Sequence, residues 1–222
     1  MPIRLMFVDG PVGSGKEYFI ESFIGSLKSN RPELSIVTWD ASDFVMKATP
    51  LMTKCKCVKD TTDSERVNEI YEGHKELISQ AAKLLSSSEN QVDLLIVKRS
   101  ILTTLSVNLW EDTKQEQREF IATDFSRYVK LTLEEFNIES LFVRIDVDVP
   151  GVTRGVNILL SRLAECMTEI EVDVEWLYTI LNTYRRDHEL AAKSFTYNDA
   201  FSSSESDMVV KRYFKSLTSE VY

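Results

Sequence analysis

The chain has 222 residues, 43% hydrophobic and 27% charged, with a formal net charge of −9 at pH 7. That size and balance suit one folded domain, residues 1–222, with a core that needs no disulfide or metal staple. The acidic excess and the lack of any Lys/Arg-rich run argue against a sequence-independent grip on nucleic acid, and no apolar stretch approaches membrane-spanning length. In chain order, the run Ile3-Arg4-Leu5-Met6-Phe7-Val8 reads as a buried parallel strand, and Met1-Pro2-Ile3-Arg4 leads into it without the pattern of a signal peptide. Three of the seven glycines, Gly10, Gly13 and Gly15, follow within six positions, and Lys16 closes them. Beyond Lys16 the residues Phe19, Ile20, Phe23, Ile24 and Leu27 recur at helical spacing.

Further strands are expected at 35–39, 92–97 and 141–145, each next to a helical pattern. Val67, Ile70, Tyr71, Leu77, Ile78, Ala81 and Leu85 share one face of a long helix over 63–87. A polar-rich helix is expected over 112–136, another over 152–168, and Trp176, Leu177, Ile180, Leu181 and Tyr184 mark one more. Residues 86–90 read as a loop, and Ser202–Glu205 as the most flexible stretch, followed by a segment containing Val, Tyr and Phe. Alternating strands and helices predict an α/β fold: a central parallel sheet of about five strands, with 3–8, 35–39, 92–97 and 141–145 as inner strands buried on both faces. Cys55, Cys57 and Cys166 make no disulfide framework. His74 and His188 do not complete a zinc site with Cys55 and Cys57 at either spacing, so the cysteines read as reduced thiols in a soluble intracellular protein.

Strand, Gly-rich turn, Gly-Lys and helix together make a phosphate-cradling P-loop in its proper context. Gly10, Gly13, Ser14 and Gly15 let backbone N–H groups turn inward around phosphate oxygens, the helix N-terminus adds its partial positive charge, and Lys16 reaches the β- and γ-phosphates. Glu17 stands where the P-loop Ser or Thr hydroxyl meets Mg²⁺.

Three later landmarks narrow the field: Trp39-Asp40-Ala41-Ser42-Asp43-Phe44, then Val97-Lys98-Arg99-Ser100, then Glu169-Ile170-Glu171-Val172-Asp173-Val174-Glu175-Trp176-Leu177. With the Asp9-Gly10-Pro11 opening, this series resembles the deoxynucleoside kinase family, including the herpesvirus-type thymidine kinases, over about residues 3–190. The resemblance implies a P-loop kinase fold with a helical lid, ATP and Mg²⁺ as cofactors, and a small-molecule nucleoside or nucleotide as partner; a homodimer is compatible with it. It also implies that Asp40 is the catalytic base beside the sugar 5′-hydroxyl, that Arg99 neutralises developing charge, and that Glu169 binds the 3′-hydroxyl. Trp39 and Phe44 become candidates to flank the base. From residue chemistry alone, Asp40 equally suits a helix cap, Arg99 a surface ion pair, and the two aromatics a core.

The chain departs from the family at three places. Lys98 replaces the acid that helps hold Mg²⁺, Glu17 replaces the hydroxyl, and the lid arginine positions fall on Ala164 and Cys166, with Arg154 and Arg162 the nearest candidates. Either Glu17 binds Mg²⁺ directly and the site is a rewired kinase, or Glu17 and Lys98 pair and the fold serves as a binding or assembly module. A nucleoside monophosphate kinase such as thymidylate kinase is a further alternative.

Overall fold

The computed structural model describes residues 2–10, 14–45, 63–87, 91–101, 115–145, 198–201 and 205–218. Its elements are β1 (Ile3–Asp9), α1 (Lys16–Asn30), β2 (Ile36–Asp40), the short α2 (Ser42–Val45), α3 (Asp63–Ser86), β3 (Leu94–Lys98), α4 (Gln115–Glu135), β4 (Glu139–Ile145), β5 (Asn198–Phe201) and α5 (Ser206–Thr218). The strands form one sheet in the order β2-β3-β1-β4-β5, and each neighbouring pair runs parallel. The architecture is α/β, with helices packed on a parallel sheet. The expected helices in 152–184, and the lid they would build, lie outside the described residues.

The order explains the layering. The chain passes from β1 outward to β2, reverses to insert β3, then crosses β1 to reach β4. Right-handed crossovers in opposite directions deliver their helices to opposite faces. One core cluster accordingly joins Phe19, Ile20, Phe23 and Leu27 of α1 and Val209, Val210 and Tyr213 of α5 to Met6, Val8, Ile96, Val143 and Ile145. The other joins Val67, Ile70, Leu77, Ile78, Ala81 and Leu85 of α3 and Ile121, Phe125, Val129 and Leu133 of α4 to Leu5, Phe7, Leu95 and Val97. Between α3 and α4, the Lys75 ammonium lies 5.1 Å from the Tyr71 ring centroid and 5.3 Å from that of Tyr128. In β1 the alternation slips once: the register with β4 shifts between Ile3 and Leu5, which leaves Ile3 and Met6 in one cluster and Leu5 in the other.

Two of the four expected inner strands differ from expectation. β2 is an edge strand, and its residues Ile36, Val37, Trp39 and Asp40 are only half-buried, with Thr38 exposed. The reversal that brings β3 back beside β1 leaves β2 outermost, so among the described residues one of its flanks has no strand partner. β4 is internal but fully buried on one face only: Leu141, Val143 and Ile145 are buried, whereas Ser140, Phe142 and Arg144 are half-buried. Residues 198–201 form a strand that hydrophobic patterning did not predict, because Asn198-Asp199-Ala200-Phe201 carries no apolar run. The segment after it is the amphipathic helix α5, which buries Val209, Val210 and Tyr213.

Phe23 is fully buried, stacks on Phe19 at 6.3 Å between ring centroids, and meets the edge of the Tyr213 ring at 6.3 Å. It therefore joins α1 to α5, elements far apart in the chain. Phe23→Ala is expected to cost about 3–5 kcal/mol in urea unfolding through lost burial and the cavity left behind. A loss under about 1 kcal/mol would mean that the two helices do not share this core.

Candidate functional site

The C-terminal ends of β1, β2 and β3 bring Lys16, Glu17, Asp40, Lys98 and Arg99 together. Pairing sets Asp40 beside Lys98 and Lys98 beside Val8. Along β2 and β3 successive side chains alternate between the faces. Ile36 and Ile96 belong to the α1-side core and Trp39 and Val97 to the α3-side core, so Asp40 and Lys98 project toward α1. There the Lys98 Nζ lies 2.9 Å from Asp40 Oδ2 and 3.1 Å from Glu17 Oε1 in the first turn of α1. Arg99 Nε lies 3.2 Å from Asp40 Oδ1, an ion-pair contact that lacks hydrogen-bond alignment. Both oxygens of Asp40 thus face a cation. Burial alone would lower the Lys98 pKa, but its hydrogen bond to Asp40, the Asp40 charge and then Glu17 outweigh this and raise it. For Glu17, burial acts upward, and the Lys98 hydrogen bond together with the Lys16 and Lys98 charges brings the net shift downward.

The turn from β1 into α1 is shaped by two glycines. Gly15 caps α1 in the left-handed conformation, φ 82°. Gly10 has φ 156°, and a Cβ there would meet Ser14 Oγ at 2.7 Å and the Ile145 carbonyl oxygen at 2.8 Å. The second contact is backbone and cannot swing aside, so a side chain at position 10 would displace β4. Lys16 is almost fully buried; its ammonium donates to the Gly10 carbonyl at 2.7 Å and to Ser14 Oγ at 3.4 Å. Burial pushes its pKa down to about 8, with Asp9 opposing and Arg99 adding to the depression.

Asp9, quoted above only as part of the strand-to-turn opening, is 1% exposed and organises the other side of the strand ends. Its Oδ1 accepts from the Ser100 N–H at 3.2 Å and its Oδ2 from the Ser100 hydroxyl. That clamp fixes a turn in which the Arg99 N–H still donates to the Val8 carbonyl at 3.0 Å while Arg99 itself sits at φ 76°, a conformation unfavourable for a side-chain-bearing residue. The signal for Asp9 was a carboxylate directly after the apolar run Leu5–Val8: a buried charge demands partners.

His74, weighed above only as a zinc ligand, is buried against the same turn. Its Nδ1 lies 2.8 Å from the Ile70 carbonyl and therefore donates the proton, since a carbonyl oxygen only accepts. The ring meets Phe125 edge-on at 6.0 Å. It also lines a narrow apolar cavity of about 10 Å³ with Phe7, Val97, Phe125 and Phe142, roughly the room of one water.

Trp39 and Phe44 pack on one another at 5.3 Å between centroids and lie against the α3–α4 core, on the opposite face of β2 from Asp40. The core role, not a shared site with Asp40, is the one their contacts display. Gly13, Arg154, Arg162 and Glu169 lie outside the described residues. Among the described residues there is no group of three or more His, Cys, Asp or Glu side chains arranged to hold a metal ion, and no helix is long and apolar enough to cross a membrane.

No protein-family model matches the chain, and no curated protein does. Among solved structures, APE1195 is 16% identical to it with a TM-score of 0.42, the match covering 85% of this chain and 96% of that one.

Burial holds the His74 pKa down at about 4, against the opposing Ile70 and Ser100 backbone bonds and the Asp9 charge. From the ordinary value of 6.5 down to about 4, the unfolded chain binds a proton that the folded chain does not. Stability must therefore fall as pH drops through that window, by about 3 kcal/mol in all. His74→Gln should remove this component, so urea unfolding at pH 7 and pH 4 should show a drop about 3 kcal/mol smaller than in the wild type. Equal drops would show that His74 does not titrate differently in the two states.

Proposed function

We propose that this chain is a nucleotide-binding protein with a P-loop kinase fold, related to the deoxynucleoside kinases, that holds a nucleotide's phosphates at the turn spanning residues 10–16. The observation that carries this reading is the placement of Lys16: an ammonium buried inside a glycine-shaped turn, at the N-terminus of α1 and the C-terminal end of an inner parallel strand. Open parallel sheets bind ligands at this edge, where loops and helix N-termini meet. A buried ammonium is costly, and that burial holds its pKa below the ordinary value. A phosphate beside it would offset the burial with a full negative charge.

As a kinase, the chain would transfer the γ-phosphoryl group of ATP to a nucleoside 5′-hydroxyl. The hydroxyl oxygen attacks phosphorus as its proton passes to Asp40, and ADP leaves with the bonding electron pair of the broken P–O bond. Arg99, on the strand end next to Asp40, would offset charge developing on the transferred group. Phosphoryl transfer in this lineage uses Mg²⁺, which would supply positive charge to offset that of the phosphates. The described residues do not suit that ion: Glu17 and Asp40 are already paired to Lys98, and both oxygens of Asp9 accept from Ser100. The same pairing favours a second reading, in which the fold binds nucleotide or a partner without turnover. Asp40 cannot accept a proton at an oxygen without loosening Lys98 or Arg99.

Two measurements test these readings. In calorimetric titration the wild type should bind ATP, and Lys16→Met should weaken binding by at least about tenfold, 1.4 kcal/mol. Equal affinity of the two proteins would overturn the phosphate-binding assignment. Product detection with ATP, Mg²⁺, each of the four deoxynucleosides and thymidylate then separates the two readings. Turnover of about 1–100 per second supports the kinase, and no product from a folded, ATP-binding sample supports the binding module.

A further inference from the structure

We infer that the Lys98 ammonium is the resident cation of this site, standing between Glu17 and Asp40 where two carboxylates would otherwise hold a divalent metal ion, and that nucleotide phosphates are bound here without a metal. The first clause rests on the geometry of three side chains; only the second rests on the phosphate-binding reading.

A single point lies 3.1 Å from Glu17 Oε1 and 2.9 Å from Asp40 Oδ2, and the Lys98 nitrogen occupies it. Those carboxylates come from the first turn of α1 and the end of β2, two elements that β3 brings together. Hard divalent cations take carboxylate oxygens at about 2.0–2.6 Å, so the same two oxygens would reach such an ion by moving under about 1 Å each. The ammonium and the ion exclude one another, because two like charges at contact distance repel strongly in a partly buried site. The Lys98 side chain springs from an anchored strand end. Its backbone pairs with Asp40 on one side and Val8 on the other, and its carbonyl accepts from the Ala41 N–H at 3.0 Å. With Lys16 inside the turn and Arg99 on the far side of Asp40, the fixed cations of the chain supply the positive charge that a metal ion brings to a polyphosphate.

The test uses Mn²⁺ alone as the metal probe, followed by electron paramagnetic resonance of the free ion, on the full chain with and without Lys98→Ala. The wild type should bind no Mn²⁺ at this site, and Lys98→Ala should bind one ion at least about tenfold more tightly, an affinity removed again by adding Glu17→Gln. Lys98→Gln, closer in size, carries the same expectation if Lys98→Ala fails to fold. Equal Mn²⁺ binding by the wild type and a folded Lys98 variant overturns the first clause. A second arm titrates ADP into the wild type in chelator and in excess Mg²⁺, and dissociation constants within about threefold of each other support the second clause. Binding only with Mg²⁺ overturns the second clause and leaves the phosphate-binding reading intact. Binding in neither overturns that reading and the second clause together, while the Mn²⁺ arm still decides the first.

Discussion

Everything at this site depends on β3 being inserted between β2 and β1. A parallel ladder fixes which residues stand abreast, and here it aligns Asp40, Lys98 and Val8 across three strands. A slip of one residue would turn Lys98 toward the α3–α4 core and set Val97 or Arg99, depending on its direction, abreast of Asp40. What opposes such a slip is the cost of carrying the Lys98 ammonium into the apolar α3–α4 side, since Leu94, Leu95, Ile96 and Val97 are buried and apolar whichever face they take. The apolar core thus decides which face the ion pairs take.

The two faces of the strand ends handle charge differently. Toward α1, half-buried Lys98, Asp40 and Arg99 share a network with the more exposed Glu17. Toward α3 and α4, Asp9 and His74 are almost wholly buried, and Asp9 is satisfied by the Ser100 clamp that also holds Arg99 at positive φ. Asp9 and Ser100 are therefore positioning residues for Arg99. The unfavourable backbone at Arg99 costs about 1 kcal/mol or more, which two hydrogen bonds to a buried carboxylate can offset.

Much of this was legible in the chain itself. Apolar runs located β1, β3 and β4 to within two residues at either end, and the 3.6-residue period located α1 and α3. Gly10, Gly15 and Lys16 announced their turn, and the expected pairing of Glu17 with Lys98 followed from the two neighbouring metal-site positions that the family resemblance implies for them. What sequence patterning missed was whatever depends on strand order. β2 was misplaced in the interior because an edge strand and an inner strand can share one apolar composition. Trp39 and Phe44 pack against the α3–α4 core, on the face of β2 away from Asp40, because neighbouring residues in a strand face opposite ways. No motif marks Asp9 or His74: Asp9 meets Ser100 only through the pairing of β1 with β3, and His74 bonds the Ile70 carbonyl one turn earlier in its own helix.

The central claim is that the 10–16 turn holds phosphate and that Lys98 takes the place of the metal beside it. The most direct measurement is a crystal structure grown with saturating ADP in the presence of chelator. The account predicts the diphosphate within the turn, in contact with the Lys16 ammonium, and the Lys98 nitrogen still between Glu17 and Asp40. A diphosphate bound elsewhere on the surface, or Lys98 swung clear of both carboxylates, would contradict it.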